Sequence, residues 1–302
     1  QLAAAVRPLR VIHHMKVSKL LNVTARPLGP YADAVKSKFG MTMQQVKLDR
    51  VLELYSAVPE DAARAEAETW IKGAKEVREP SREEVVRSCR MALAFEQLLK
   101  QENANCLTVE CYGSMYEPMC KKVAFPCVGF VRLNDMGLAG ICESDLESAV
   151  TFLIFQGLTG RPSFISDPTM DESKDGIILA HCLGTRKMDG PSGTVAPYRL
   201  RTIHERQEGC VPQVFMRVGQ KVTQGRLVGT EELPYFTGVI TETPDTDRGC
   251  RTQITVKVDG DATQLWKNWA HGLHRLTCYG DLRRDLEHYC RFMDIKMVNE
   301  AV

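Results

Sequence analysis

A chain of 302 residues, 44% hydrophobic and 25% charged, can bury a sizeable core and divide into two domains. Its 39 basic and 38 acidic side chains leave a formal charge of +1 and are interspersed, so neither nucleic acid nor an anionic membrane is an expected partner. No run of ~18 apolar residues occurs, and charges and Pro8 interrupt the amino end, so neither a membrane span nor a secretory signal is expected. The absence of an initiator Met suggests that the beginning of the chain is missing.

From residue 18 the pattern alternates. A strand-like KLLNV (19–23) is followed by a helical YADAVKSKF (31–39), a strand-like TMQQVKL (42–48) and a helical, Ala- and Glu-rich stretch over 60–76. This alternation predicts a parallel sheet covered by helices. Ser81 with Glu84 forms a capping-box signature, and Val85, Ala92, Phe95 and Leu99 mark the buried face of the long helix that it opens. CLTVE (106–110) then reads as a short buried strand. Glu110 falls at its carboxyl end, where open α/β sheets gather their ligands, although a solvent-facing strand-end acid fits as well.

The stretch GICESDLESAVTFLIFQGLTG (140–160) predicts an apolar helix, with Gly157 and Gly160 as stop signals. Its three acids, Glu143, Asp145 and Glu147, suit the positive end of the helix dipole, and capping and ligation both remain open for the first two. Glu147 reads as a solvated acid of the first turn.

Beyond residue 160, six short segments beginning near residues 175, 195, 211, 221, 235 and 251 are β-branched or alternating and separated by Gly, Pro or Asp, which predicts an antiparallel sheet or barrel. The end of the chain reverts to helix (261–270), strand (274–280), helix (281–295) and the strand-like KMV (296–298). A Gly- and Pro-containing stretch over 184–197 reads as a long mobile loop near His181. Eleven cysteines, an odd number with no C-x-x-C pair, argue against a disulfide framework and a thiolate zinc site and for a reducing cytoplasm; Cys106, Cys142 and Cys278 read as small buried hydrophobes.

His181 ends the apolar segment GIILAH, and His274 opens another just after Gly272 and Leu273. Each alone fits a structural histidine. Together with Glu110 and the acids of CESD they supply the nitrogen and oxygen donors that suit Mn²⁺ or a related divalent ion. No P-loop, G-x-G-x-x-G, G-x-S-x-G or H-E-x-x-H motif competes.

Three segments carry a family resemblance. CESDLESAVTFLIFQGLTG resembles the E-x-D segment and following helix of the L-fucose isomerase family. HGLHRLTCYGDLRRDLEHYCRFMDI resembles that family's terminal histidine, strand, glycine and helix, and the acid of LTVEC precedes the E-x-D at a compatible interval. L-arabinose isomerases are more distantly similar. The resemblance implies an α/β protein: a remnant of a preceding N-terminal domain (1–17), a Rossmann- or flavodoxin-like parallel α/β domain (18–139), and a β-rich, barrel-like C-terminal domain with a terminal helix (140–302).

It further implies that Glu110, Asp145 and His274 bind Mn²⁺ and that Glu110 and Asp145 handle protons, with Glu143 and His181 as additional ligands by the arabinose isomerase pattern. The implied activity is a metal-dependent aldose/ketose isomerisation of a monosaccharide through an enediol, in a cytoplasmic homo-oligomer, a trimer or hexamer, with no organic cofactor. A non-catalytic carbohydrate-binding relative and a metal-dependent sugar lyase or hydrolase are the alternatives.

Overall fold

The computed structural model describes residues 2–171, 173 and 176–302. Its first half is a four-stranded parallel sheet built from β1 (Lys19–Val23), β2 (Thr42–Val46), β3 (Cys106–Val109) and β4 (Ala139–Ile141), in the order β2-β1-β3-β4. Around it lie α1 (Leu2–Val17), α2 (Pro30–Phe39), α3 (Leu48–Ala57), α4 (Glu60–Gly73), α5 (Arg82–Gln101), α6 (Cys127–Asp135) and α7 (Leu146–Thr159). Every residue of β3 and β4 is buried, as expected of strands covered on both faces.

The local signals account for most of these elements. Ser81 accepts a hydrogen bond from the backbone N–H of Glu84 at the start of α5. The strand predicted to reach Leu48 stops at Val46 instead, because Leu48, Val51 and Leu54 form the buried face of α3, a helix the alternating pattern does not reveal. Gly157, expected to be a stop, lies inside α7. A Cβ there would meet Val11 and His14 of α1 at 3.2 Å, so this glycine permits the close crossing of two helices. Gly160, at φ +70°, ends α7 as anticipated. Arg10 of α1 donates to the carbonyls of Gly157 (2.8 Å) and Leu158 (2.5 Å), satisfying acceptors that the last turn of α7 leaves free.

The second half is a closed antiparallel barrel of six strands: β5 (Phe164–Asp171), β6 (Gly176–His181), β9 (Lys221–Gly225), β10 (Glu232–Glu242), β11 (Thr252–Val258) and β12 (Arg275–Tyr279). They run in the order β11-β6-β5-β12-β9-β10, and β10 pairs back onto β11. Closure leaves the barrel without unpaired edges. Two of the expected strands lie outside it as a separate ribbon, β7 (Tyr198–Arg201) with β8 (Val211–Val214). After α8 (Ala262–Asn268) and β12, helix α9 (Arg283–Met293) leads into β13 (Lys296–Asn299), which pairs in parallel with the first part of β10. The fold is thus mixed α/β, a parallel sheet with helices joined to an antiparallel barrel. No helix among the described residues is long and apolar enough to cross a membrane.

The stretch 184–197 is a long loop, as expected, but it is tied down. Arg186 pairs with the buried Asp135 at 2.7 Å and stacks on Trp70, 3.5 Å from the ring centroid.

Candidate metal centre

Strand register brings the central residues together. β5 pairs with β6 so that Asp167 lies opposite Ala180, and with β12 so that Ser166 lies opposite Arg275. His181 and His274 directly adjoin those partners. Asp167 is therefore held between the two histidines, whose rings stand 5.3 Å apart at 60°. Asp167, His181 and His274 can each offer a ligand atom within 4.8 Å of the others, and Cys142, Glu143 and His181 form a second such set sharing His181.

Glu143 reaches this cluster from the α/β side. It follows β4 in a turn where Glu143 and Ser144 both take left-handed conformations, φ 62° and 55°, an uncommon pair for residues with side chains. Its carboxylate lies 3.9 Å from His274 Nε2 and 4.0 Å from Nε2 of His181. Asp167 Oδ1 lies 3.5 Å from His274 Nε2 and is buried without a hydrogen-bond partner among the described residues. A buried, unpaired carboxylate oxygen beside two imidazoles is an arrangement that a cation would satisfy.

Asp145 has a different position. As the residue preceding α7 it accepts hydrogen bonds from Ser148 N–H (3.0 Å) and Oγ (2.8 Å), and both its oxygens engage Arg226, at 2.6 and 3.1 Å. Its Oδ2 also meets Nδ1 of His274 at 3.1 Å. Burial opposes its ionisation, but the hydrogen bond from His274 and the charge of Arg226 hold Asp145 well below the usual carboxylate range. The ionised carboxylate accepts a hydrogen bond from Nδ1–H of His274 and leaves Nε2 turned toward Glu143 and Asp167, the carboxylate–histidine pattern that orients metal-binding imidazoles. Capping and site-building thus coincide in one side chain. Glu147, expected to be solvated, instead pairs with Arg226 at 2.8 Å and accepts the Gly229 N–H at 2.7 Å.

Proton affinities follow the same geometry. Burial works against charge on His274, but the hydrogen bond to Asp145 and the negative Asp167 and Glu143 raise its pKa above 6.5. Burial raises Glu143 and Asp167, with His274 opposing in both cases. His181 is pushed down to about 3 by burial and by His274 beside it, so its ring stays neutral across the physiological range.

Glu110 is held by a different set of partners. At the end of β3, where the strand order reverses, it is 3% exposed and accepts hydrogen bonds from Thr24 Oγ1 (2.5 Å), Arg26 Nε (2.9 Å) and Nη2 (2.5 Å), and the Ser114 N–H (3.2 Å). Burial opposes these bonds, yet Arg26 and Thr24 hold its carboxyl at about 2. A Cβ at Gly113 would stand 2.1 Å from Glu110 Oε1, so only glycine allows the chain to wrap this closely around the carboxylate. Among the described residues, the sets close enough to share one ion do not include Glu110 or Asp145. Of the five residues singled out from the sequence, Glu143, Asp145, His181 and His274 converge.

A cavity of about 230 Å³ opens beside the cluster, with Glu143, Asp167 and His181 in its wall together with Tyr112, Phe125 and Cys182. Asp167 and Arg226 escaped the sequence reading. For Asp167 a signal existed in the apolar pair Phe164 and Ile165 that opens its strand, whose pairing with GIILAH would have placed the acid beside His181. Arg226 carries no motif; its role follows only from the fold.

No family model matches the chain. It is 26% identical over 309 aligned positions to the sulfoquinovose isomerase of Clostridium sp. (strain MSTE9), in an alignment covering 94% of this chain and 65% of that protein. It is 24% identical over 268 positions to the sulfoquinovose isomerase of Alkalicoccus urumqiensis, covering 82% and 57%. The chain therefore spans somewhat less than two thirds of the length of these curated relatives. Both relatives are sugar isomerases by name, and neither is named for L-fucose or L-arabinose.

Proposed function

We propose that this chain is a metal-dependent aldose/ketose isomerase in which Glu143, Asp167, His181 and His274 hold Mn²⁺ or a related divalent ion. The observation that carries the reading is the pairing of Asp145 with Nδ1 of His274, which turns Nε2 toward an unpaired buried carboxylate oxygen and a neutral histidine. The similarity to two sugar isomerases over most of the chain gives that centre its reaction class. Because those relatives are named for sulfoquinovose, a sulfoquinovose-type monosaccharide is the substrate of choice over L-fucose or L-arabinose. Assembly into a trimer or hexamer, with the parallel sheet belonging to the Rossmann or flavodoxin type, completes the proposal.

Isomerisation moves one proton between C1 and C2 and another between their oxygens, through an enediol. The bound ion would polarise those oxygens and stabilise developing negative charge. Glu143, exposed at the cavity, accepts the proton from one carbon and returns it to the other. Asp145 has its oxygens engaged by Ser148, Arg226 and His274, so it orients the histidine instead of shuttling protons. Glu110 remains the second carboxylate for proton transfer at the sugar oxygens. At a pKa of about 2 it is a weak base while Arg26 holds it, so that role would require the exposed Arg26 to release it.

The test is solvent exchange. Metal-loaded protein incubated in deuterated water with sulfoquinovose should place deuterium on the carbon that receives the transferred proton. A panel of aldoses that binds without exchange would instead identify a carbohydrate-binding relative, and a product with fewer carbons would identify a lyase.

A further inference from the structure

We propose that Cys182, His204, Glu205 and Cys250 form a second metal site, suited to a thiolate-preferring ion of the Zn²⁺ class and sharing no ligand with the centre described above. One ligand atom from each of the four lies within 4.8 Å of the other three. Sγ of Cys182 and Sγ of Cys250 each stand 3.9 Å from an oxygen of Glu205, on opposite arms of the carboxylate. Nδ1 of His204 lies 3.0 Å from Glu205 Oε2 and, among the described residues, is a buried nitrogen that makes no hydrogen bond of good geometry, while the His204 ring also stands close enough to Cys182 to interact with its thiol. Tetrahedral zinc with bonds of about 2.0–2.3 Å needs ligand atoms roughly 3.3–3.8 Å apart, so shifts of about 1 Å or less close the set around an ion.

The fold builds this cluster from three segments far apart in sequence. Cys182 directly follows β6 and Cys250 directly precedes Arg251 and β11, and the two strands pair with His181 opposite Thr252. His204 and Glu205 sit in a tight turn closed by Gln207 N–H to the Ile203 carbonyl and Ile203 N–H to the Glu208 carbonyl, both 2.9 Å. The fully buried Arg251 fastens this turn to β11 by donating to the Thr202 carbonyl (2.9 Å) and to Gln207 Oε1 (3.2 Å). The turn, the end of β6 and the start of β11 are therefore fixed to one another by contacts that do not involve the four ligand side chains.

Two sulfurs, an imidazole and a carboxylate are a soft donor set, unlike the oxygen- and nitrogen-only set around Asp167. Binding releases the two thiol protons to solvent and forms two metal–thiolate bonds; no oxidant is required. Cys182, Glu205 and Cys250 also line the cavity, so the ion would fix the wall facing the sugar centre.

The experiment uses the full chain carrying His181→Ala and His274→Ala, which disables the first centre and makes the outcome independent of sugar turnover. Reduced, anaerobically purified protein is titrated with Zn²⁺ against a chromophoric chelator, and separately with Co²⁺. One equivalent of Zn²⁺ and a thiolate-to-cobalt charge-transfer band are expected. Added Cys250→Ser or His204→Gln should weaken Zn²⁺ by at least about tenfold and, for the serine variant, diminish that band. If the double variant fails to fold, loss of the band on Cys250→Ser in the otherwise unaltered, Co²⁺-loaded protein serves instead, since Cys142 beside the first centre is left in place. The proposal is overturned if no equivalent of Zn²⁺ binds, if either added substitution leaves affinity unchanged, or if mass analysis finds Cys182 and Cys250 joined as a disulfide in the anaerobically purified protein.

Discussion

Asp145 and His274 are 129 residues apart in the chain and 3.1 Å apart in the fold, and this one hydrogen bond joins the start of an α/β helix to the start of a barrel strand. Removing its charge with Asp145→Asn should weaken Mn²⁺ binding about 10- to 100-fold, the scale seen for partners that orient a ligating histidine. His274→Ala should abolish binding at that centre. Metal titration by calorimetry with circular dichroism as the folding control distinguishes the two, and unchanged affinity in Asp145→Asn would remove the orienting role.

The centre should be pH-sensitive in a defined direction. His274 has its folded-state pKa raised above 6.5, so its proton stabilises the metal-free fold fully below 6.5, and that stability is lost as pH rises through the raised value. A metal needs the deprotonated ring, so Mn²⁺ affinity should climb over the same interval. Thermal melts of metal-free and metal-loaded protein from pH 5 to 9 should therefore diverge, and parallel curves would contradict the assignment of His274 as a ligand.

Glu110 sets an acid limit. Its carboxyl ordinarily titrates near 4.5 and is held at about 2 in the fold, so its stabilising contribution is complete above 4.5 and disappears as pH falls through about 2. Glu110→Gln should cost roughly 1–2 kcal/mol at pH 7 and almost nothing at pH 2. Denaturant melts at the two pH values measure the difference. Arg26 is largely exposed, so Arg26→Ala should cost less and be more easily masked by salt.

Proton transfer has its own signature. Glu143→Gln should lower turnover by about 2 to 4 orders of magnitude if this carboxylate moves the carbon-bound proton. Sugar affinity should change far less. Steady-state rates with solvent deuterium incorporation provide the readout, and a variant that still exchanges at full rate would return that role to Glu110.

A single methyl group should disturb the strand end that carries Glu110. Gly113→Ala places a Cβ 2.1 Å from Glu110 Oε1 and must push the carboxylate away from Arg26 and Thr24. A loss of about 1–3 kcal/mol is expected in chemical denaturation, with the pH dependence of Glu110 flattened alongside it.

Much of the fold was legible because its signals are local. The Ser81 cap, the Gly160 stop and the alternating segments depend on near neighbours in the chain. The α3 helix and the β7–β8 ribbon were not, because a short strand-like run reads the same whether it joins a barrel, pairs outside it or bends into a helix. At the site, the histidines and the CESD acids stood out by type, whereas the division of labour between Glu143 and Asp145 did not. It depends on Arg226, which arrives from β9 some 80 residues later and occupies both oxygens of Asp145. The soft-donor cluster was hidden for a similar reason: Cys182 and Cys250 belong to no sequence motif and meet only because β6 and β11 pair.

The register of β5 has a temporal meaning as well. Asp167 lies between its two histidines only when β5 is paired on both sides, and one of those partners, β12, begins at Arg275. A chain emerging from the ribosome therefore cannot assemble the centre until β12 has been synthesised, and a one-residue slip would turn Asp167 to the other face of the barrel. An ion captured there would act as a late proofreader of strand pairing, rewarding the native register after the parallel sheet has had time to form.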